Sequence, residues 1–335
     1  MRPDSRARLL GLLADGQLQS GGKLAGRLGV SRTAVWKLVA GLREAGIAVE
    51  SVARRGYRLP RAVELLDAAQ MRLEAGALGA TLPAALEVLF EVDSTNEYLQ
   101  RSQPPDPDRP RVVFAELQHA GRGRRGRRWM APFGSGLTFS IAWAFRELPP
   151  GLGALGLAVG VAVAEALREA GADGTMLKWP NDIVWRQRKM GGLLLQLRSE
   201  AGGGASVVVG LGLNLAMAPE TRNLLAGSGA TPVADLADAL DGHECRRNAL
   251  AARLVTSMLA CLERFGREGY APFVGRWRSL DSLAGARVHV IQGDDRIEGV
   301  ALGADDGGAL RVSVNGRVER FHSGDVSLRS DPAAP

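Results

Sequence analysis

Residues 111–145 read RVVFAELQHAGRGRRGRRWMAPFGSGLTFSIAWAF, and this stretch decides between the folds that the rest of the chain allows. RVVFAELQ (111–118) predicts a buried strand, and GLTFSIAWAF (136–145) alternates with the period of two of another strand. The apolar residues on one face of that second strand are Leu137, Phe139, Ile141, Trp143 and Phe145. Between the strands lies GRGRRGRRW (121–129), here called the arginine loop, with five arginines in seven positions. We expect it to bind an anion.

The arginine loop matches the glycine pattern G-x-G-x-x-G of dinucleotide-binding folds. Those folds place a helix directly after the glycines, so that its N-terminus meets the pyrophosphate. Here WMAPFGSG and a strand follow, which argues against that fold. The P-loop pattern also fails, because Arg127 and Arg128 stand where Lys and Ser or Thr are required. A flexible tract that binds nucleic acid is the remaining alternative, but the neighbouring Trp129 favours a cationic lid over an anionic substrate.

The N-terminal sixty residues have the pattern of a winged helix-turn-helix. Two short helical segments lead to SRTAVWKLVAGLREAG (31–46), where Ser31 can cap the helix and Val35, Leu38 and Leu42 share one face. IAVESV and GYRLP follow as a two-stranded wing. Residues 1–61 hold 12 Lys and Arg against 4 Asp and Glu, hence +8, and the rest of the chain carries −2. Expected DNA contacts are Ser31, Arg32, Thr33, Trp36, Lys37, Arg54 and Arg55.

This charge excess favours nucleic acid over the alternative, a helix-turn-helix used only for protein contacts. One small module binds DNA weakly, so we expect a dimer that reads two half-sites.

The composition is that of an ordinary soluble protein, with 46% apolar and 23% charged residues. Charges at the N-terminus interrupt any signal sequence, and the weakly polar run 151–167 is too short and glycine-rich for a membrane span. Cys245 and Cys261 lack metal-site spacing. A cytoplasmic protein is expected.

Lysine is rare in this chain. Arginine supplies 38 of the 42 basic residues, and two of the four lysines, Lys178 and Lys189, bracket KWPNDIVWRQRK. A site that needs a compact ammonium would produce this pattern, although chance explains it equally well.

From residue 86 onward, predicted strands alternate with helices, which indicates a mixed sheet backed by helices. The segments in this region that carry chemistry are DSTN (93–96), QHAGRGRRGRRW (118–129), KWPNDI (178–183), RKMGGLLLQL (188–197) and GLGLN (210–214). In this order they resemble the bacterial biotin–protein ligases, and the helix-turn-helix in front is similar to that of the bifunctional members that repress the biotin operon.

The resemblance implies an α+β multidomain chain. Its parts would be a winged helix-turn-helix (1–62), a connector (63–85), a class II synthetase-like mixed-sheet α/β domain (86–281) and a small SH3-like β-barrel (282–330). It implies formation of biotinyl-5′-AMP from biotin, ATP and Mg²⁺, followed by transfer of biotin to a lysine of biotin carboxyl carrier protein. It also implies repression at operator DNA by an adenylate-bound homodimer, without membrane contact.

The resemblance also assigns residues. Lys189 matches the lysine between the biotin carboxylate and the α-phosphate, Arg124 matches a loop arginine, and Asp182 either assists Mg²⁺ or orients the incoming lysine. These three are the catalytic candidates, and no metal-ligand set is predicted. Expected biotin contacts are Ser94, Thr95, Asn96, Gln118, Gly121, Arg122, Arg124, Lys189 and Gly192. Expected ATP contacts are Arg122, Arg124, Arg127, Trp129, Lys178, Asn181 and Asn214.

One departure from the family concerns adenine. The loop after GLGLN carries a tryptophan that stacks on adenine in the relative we compare, but residues 221–236 contain no aromatic side chain. Leu224, Leu225 and Pro232 are the candidates to replace it.

Two alternatives stay open at this stage. A lipoate-type ligase uses a related fold and the same adenylation chemistry, and a ligand-sensing repressor would have no ligase activity. The arginine loop argues against the first, and the presence of Arg122, Arg124 and Lys189 argues against the second.

Overall fold

The computed structural model describes residues 4–199, 204–226, 232–243, 245–292, 295–322 and 326–330. The N-terminal part is a winged helix-turn-helix, as the sequence predicts. Its elements are α1 (Asp4–Leu13), α2 (Gly21–Leu28), α3 (Arg32–Glu44) and the antiparallel wing β1 (Glu50–Val52) and β2 (Gly56–Arg58).

The recognition helix α3 begins where the sequence predicts. The Ser31 hydroxyl accepts a hydrogen bond from the backbone amide of Ala34 at 3.1 Å. Val35, Leu38 and Leu42 are buried, whereas Trp36 is 59% exposed. An indole exposed to this extent on a helix that also carries Arg32 and Lys37 gives the helix a face suited to the major groove.

The central part is one seven-stranded mixed sheet, which confirms the predicted layer architecture. The strand order is β3-β4-β5-β9-β8-β7-β6, with β3 and β4 parallel and every other neighbouring pair antiparallel. The strands are β3 (Leu86–Val92), β4 (Arg111–Gln118), β5 (Gly136–Phe145), β6 (Thr175–Lys178), β7 (Asp182–Trp185), β8 (Arg188–Ser199) and β9 (Ala205–Asn214). The helices of the connector and this part are α4 (Ala68–Ala77), α5 (Thr95–Arg101), α6 (Leu155–Glu169), α7 (Pro219–Ala226), α8 (Leu236–Ala239), α9 (Arg247–Glu268) and α10 (Ala271–Leu280).

The two faces of this sheet have different roles. Two neighbouring residues of β8 contact different helices. Leu195 faces α6, where a Cβ on Gly156 would contact it, and Gln196 accepts a hydrogen bond from Asn96 of α5. Since neighbouring strand residues point to opposite faces, α5 and α6 lie on opposite sides of the sheet. The α6 side holds the large core, which includes the predicted row Leu137, Phe139, Ile141 and Phe145, with Trp143 packed against it. The α5 side is left for the candidate site.

The C-terminal part is a five-stranded antiparallel sheet in the order β13-β12-β11-β10-β14. Its strands are β10 (Arg287–Gln292), β11 (Asp295–Ala304), β12 (Leu310–Val314), β13 (Arg317–Phe321) and β14 (Val326–Ser330). The strands β13 and β14 follow each other in the chain but occupy opposite edges of the sheet. No ladder joins β13 to β14 in the described residues, so closure into an SH3-like barrel stays a prediction, as do the domain boundaries. Within the same residues, no helix is long and apolar enough to cross a membrane.

A buried ion pair joins the connector, the sheet and α9. The Arg247 guanidinium donates to the Glu116 carboxylate at 2.9 Å and to the carbonyls of Glu64 at 2.6 Å and Gly136 at 3.2 Å. The other Glu116 oxygen accepts from the backbone amide of Leu66 at 2.6 Å. Both charged side chains are only 6% exposed. Since Glu116 lies in β4 and Gly136 begins β5, this pair fixes both strands that carry the arginine loop.

We predict that Arg247→Leu lowers the free energy of unfolding by roughly 3–5 kcal/mol, because it leaves the Glu116 carboxylate buried without its counter-charge. Urea unfolding followed by circular dichroism measures this. The control is Arg253→Leu, which removes the surface pair of Arg253 with Glu169 and should cost less than about 1 kcal/mol. Equal losses for the two variants would contradict the prediction.

Candidate active site

The arginine loop is closed on itself by backbone hydrogen bonds. The amide of Trp129 donates to the Gly121 carbonyl at 2.8 Å, and the amide of Gly123 donates to the Arg127 carbonyl at 2.7 Å. Residues 124–126 form a single 3₁₀ turn, with Arg125 at φ 57°. The chain then enters β5 without a helix, as predicted. The loop therefore differs from a dinucleotide-binding turn in backbone as well as in sequence.

Trp129 brings the loop down onto the sheet. A Cβ on Gly212 of β9 would lie 2.4 Å from the indole, so only glycine fits beneath the ring. The Lys189 ammonium lies 5.9 Å from the centroid of the Trp129 ring. The indole nitrogen is buried and has no hydrogen-bond partner within the described chain. A flat aromatic surface with an unused donor, next to a lysine, suits a nucleotide base and its phosphates.

Three cations of the site each face an acidic or amide group. The Lys189 ammonium lies 2.5 Å from the Asp182 carboxylate, Arg122 lies 2.9 Å from Glu97, and Arg124 donates to the Asn181 side chain at 3.2 Å. Burial lowers the pKa of the Arg124 guanidinium, the nearby Arg125 and Arg127 lower it further, and Asp182 opposes both. An arginine stays charged even so. The cluster thus combines three cations with acidic or amide partners close to each of them.

The β7–β8 hairpin positions Lys189. Arg186 and Gln187 have positive φ values of 46° and 60°, as a two-residue hairpin turn requires. The pairing of the two strands then shifts register between Ile183 and Val184. Such a bulge re-aims side chains, and here it coincides with the contact between Lys189 and Asp182.

Gly192 lies beside that contact. A Cβ on Gly192 would lie 3.4 Å from the Lys189 ammonium and 3.6 Å from Asp182. At the neighbouring Gly191, a Cβ would lie 2.8 Å from the Gly212 carbonyl, so close strand packing explains this glycine.

The DSTN segment forms the buried polar floor of the site. Ser94, Thr95 and Asn96 are 2–4% exposed. The Thr95 backbone amide donates to the Gln118 side-chain oxygen at 2.8 Å. The Ser140 hydroxyl lies 2.6 Å from the Asn96 side-chain oxygen and 2.7 Å from the Thr95 hydroxyl. Since that Asn96 oxygen can only accept, Ser140 gives its one proton to Asn96, and Thr95 donates to Ser140 or to Gln118.

Asp93 ties the two ends of α5 together. Ser94 occupies the N-cap position of α5, but its side chain makes no capping hydrogen bond. Asp93 accepts from the backbone amide of Ser94 and also pairs with Arg101 at 2.6 Å. Its pKa is lowered to about 2, chiefly by the hydrogen bond from Arg101. This ion pair fixes the helix that follows the DSTN segment.

The other predicted residues fall around this floor. Gly121 contributes space, because a Cβ there would lie 2.6 Å from the Trp129 carbonyl and 3.5 Å from the Gln118 amide nitrogen. Asn214 donates to the Ala234 carbonyl at 3.0 Å. Lys178 lies opposite Asp182 across the β6–β7 hairpin.

Four predicted residues lie elsewhere or fall outside the described side chains. The Arg127 side chain is exposed, and its carbonyl holds the loop. Pro232 is exposed, and its carbonyl accepts from the backbone amide of Lys189 at 2.7 Å. The side chains of Leu224 and Leu225 lie outside the described residues.

Sequence reasoning missed four residues of this site. Glu97 and Gln196 pair with site residues, Ser140 links Thr95 to Asn96, and a Cβ on Gly210 would lie 2.0 Å from the Asn96 side-chain oxygen. The spacing of the two glycines in GLGLN was the available signal. Gly210 and Gly212 are two residues apart in a strand, so they clear space on the same face.

Comparison with known proteins agrees with this geometry. Residues 89–214 match the biotin/lipoate A/B protein ligase family, residues 6–58 an HTH domain and residues 284–329 the biotin protein ligase C-terminal domain. The bifunctional ligase/repressor BirA of Escherichia coli (strain K12) is 38% identical over 96% of this chain and 97% of its own length. This chain belongs to the bifunctional ligase/repressor family of biotin–protein ligases.

Further relatives place the ligase in the same family. The bifunctional ligase/repressor BirA of Bacillus subtilis (strain 168) is 31% identical over 98% of this chain and all of its own. A solved biotin protein ligase from Aquifex aeolicus, in complex with biotin and ATP, is 26% identical with a TM-score of 0.62. The match spans 74% of this chain and the whole of the Aquifex aeolicus chain.

We predict that Gly212→Ala strongly weakens ATP binding to this ligase, because the new methyl group occupies the space of the Trp129 indole. Calorimetric titration with a non-hydrolysable ATP analogue measures the change. We expect at least a tenfold rise in the dissociation constant, which corresponds to about 1.4 kcal/mol. Gly275→Ala is the control, since a Cβ there meets nothing within 4 Å. An unchanged affinity in Gly212→Ala would mean that Trp129 does not form the nucleotide surface.

Proposed function

We propose that this biotin–protein ligase forms biotinyl-5′-AMP at the cation cluster of Lys189, Arg122 and Arg124, and then transfers biotin to a carrier-domain lysine. The observation that supports this best is the juxtaposition of the Lys189–Asp182 pair with the Trp129 indole. It puts the compact Lys189 ammonium beside an aromatic surface for the adenine base. The biotin carboxylate and the α-phosphate of ATP must meet at this point.

The first step joins two anions. A biotin carboxylate oxygen attacks the α-phosphorus of ATP, the bond to the bridging oxygen breaks, and pyrophosphate leaves. Like charges oppose this approach, so fixed cations lower the barrier. Lys189 is proposed to stand between the carboxylate and the α-phosphate, and Arg124 on the phosphates.

The second step needs a neutral amine. The carrier lysine attacks the carbonyl of the biotinyl adenylate, an amide bond forms, AMP leaves and a proton is released. Asp182 is proposed either to orient this incoming lysine or to assist Mg²⁺ in the first step. Biotin carboxyl carrier protein of acetyl-CoA carboxylase is the proposed carrier.

The floor of the site suits the neutral bicyclic urea of biotin. Ser94, Thr95, Asn96 and Gln118 offer hydroxyl and amide groups for paired hydrogen bonds. Gly192 permits close approach of the biotin chain to the backbone beside Lys189.

Mg²⁺ is the proposed metal, and it would enter with ATP. The described residues contain no cluster of three or more His, Cys, Asp or Glu that could hold a metal by itself. The site therefore fits a cation held by one carboxylate, Asp182, together with substrate phosphates and water. Its role would be to neutralise phosphate charge.

We also propose that the adenylate-bound ligase dimerises through the central sheet and then binds operator DNA. The strand β8 has a neighbour on each side. On one side, its pairing with β7 ends at Gly192, and on the other side its pairing with β9 continues to Ser199. Within the described residues, the outer edge beyond Gly192 has no partner strand, and Leu197 there is 55% exposed. An open edge of this kind pairs readily with another chain.

A dimer would bring two copies of α3 to a palindromic site, and carrier protein would compete for the same edge. Because ATP drives the reaction, the cytoplasm is its proposed location.

The decisive experiment measures pyrophosphate release from purified protein, ATP and Mg²⁺ without carrier protein. A burst of about one equivalent with biotin, and none with lipoate, is expected because a single adenylate stays bound per site. A burst with lipoate would favour the lipoate-type ligase. No burst with either acid would leave a repressor that only senses its ligand.

We predict that Lys189→Ala leaves biotin binding nearly unchanged but slows adenylation by about 10²–10³-fold, the usual effect of losing one transition-state donor. Quenched-flow measurement of adenylate formation gives the rate, and calorimetry gives the affinity. Arg186→Ala is the control, because its cation stacks on Trp185 in the same hairpin and should not affect the rate. A rate within a few-fold of wild type would refute the role given to Lys189.

A further inference from the structure

Arg122 is held by a specific carboxylate. Its guanidinium lies 2.9 Å from the Glu97 carboxylate, whose side chain is 20% exposed. The Arg122 side chain itself is 55% exposed, so solvent alone would leave it many conformations. Glu97 lies in the first turn of α5, directly after the DSTN segment.

A chain of hydrogen bonds fixes Glu97 from the buried floor of the site. Ser140 donates to the Asn96 oxygen at 2.6 Å, and the Asn96 amide donates to the Gln196 oxygen at 2.9 Å. The Gln196 amide then donates to the same Glu97 oxygen that faces Arg122, at 3.4 Å. The Asn96 amide also donates to the Leu194 carbonyl at 3.2 Å, which fixes it further. The orientation of Glu97 is thus set by Ser140, Asn96 and Gln196.

We propose that Glu97 is a positioning residue, which holds Arg122 until substrate arrives and then releases it to the substrate anion. The inference rests on the proposed function in taking Arg122 as a ligand of the biotin carboxylate or the ATP phosphates. Arg122 contacts Glu97 through one terminal nitrogen, and a substrate carboxylate or phosphate that takes this nitrogen in a paired contact displaces Glu97.

Two consequences follow from this exchange. The negative charge of Glu97 competes with the substrate anion and also repels it, so it weakens binding. In return, Glu97 orders the arginine loop before substrate arrives, against the mutual repulsion of its five arginines. Removing the negative charge of Glu97 should therefore strengthen substrate binding. It should also make the arginine loop less ordered when no substrate is bound.

The test is Glu97→Gln, which keeps the size of the side chain and its bond with Gln196 but removes the charge. We expect the KM for biotin or for ATP to fall about two- to fivefold with kcat unchanged, as for the loss of a partly exposed ion pair. Tryptic cleavage of the empty protein at residues 122–128 should become faster, and biotin with ATP should still protect the loop.

Glu169→Gln is the control, because it neutralises the exposed partner of an arginine away from the site, Arg253 at 2.8 Å. Wild-type protein that fails to form adenylate would refute the proposed function itself. Wild-type activity together with unchanged KM values and unchanged cleavage in Glu97→Gln would overturn the role of Glu97. A raised KM would also overturn it, since Glu97 would then assist binding directly. Melting temperatures of both variants confirm that each is folded.

Discussion

The buried pair of Arg247 and Glu116 is the interaction on which the site depends. It connects the first residues of α9 to β4, and through the Gly136 carbonyl to the start of β5. The arginine loop is the link between these two strands, so its ends are fixed where its charges are most crowded. A loop with five like charges can bind anions well only if its two ends are fixed and the residues between them can change conformation.

The sheet supplies the second condition, which is empty space on one face. Gly210 and Gly212 of β9 admit the Asn96 side chain and the Trp129 indole. The opposite face carries the apolar core against α6 and α9, so polar and apolar functions are separated by the alternation of each strand. The chemistry of the site and the stability of the domain can therefore vary with little mutual interference.

Much of this arrangement was predictable from the sequence. The arginine loop, its flanking strands and the recognition helix carry local signals: glycine spacing, period-two alternation and a serine cap. The pairings of Arg122 with Glu97 and of Arg247 with Glu116 carry none, because they join distant segments whose proximity depends on strand order. The ion pair of Asp93 with Arg101, at the other end of α5, has no such signal either. The separation of β13 from β14 depends on which edge of the C-terminal sheet each one joins.

The DNA-binding part contacts the sheet directly, in addition to its link through the connector. Arg61 donates to the carbonyls of Gly134 at 3.2 Å and Ala216 at 3.3 Å, which lie in the segments that follow the arginine loop and β9. Leu117 of β4 is buried in the same apolar cluster as the helices α1 to α3. Trimming the chain to its catalytic part for use as a labelling reagent would therefore expose Leu117. It would also remove the hydrogen bonds from Arg61 to the segments that follow the arginine loop and β9. A minimal enzyme cut from this chain needs a redesigned surface there.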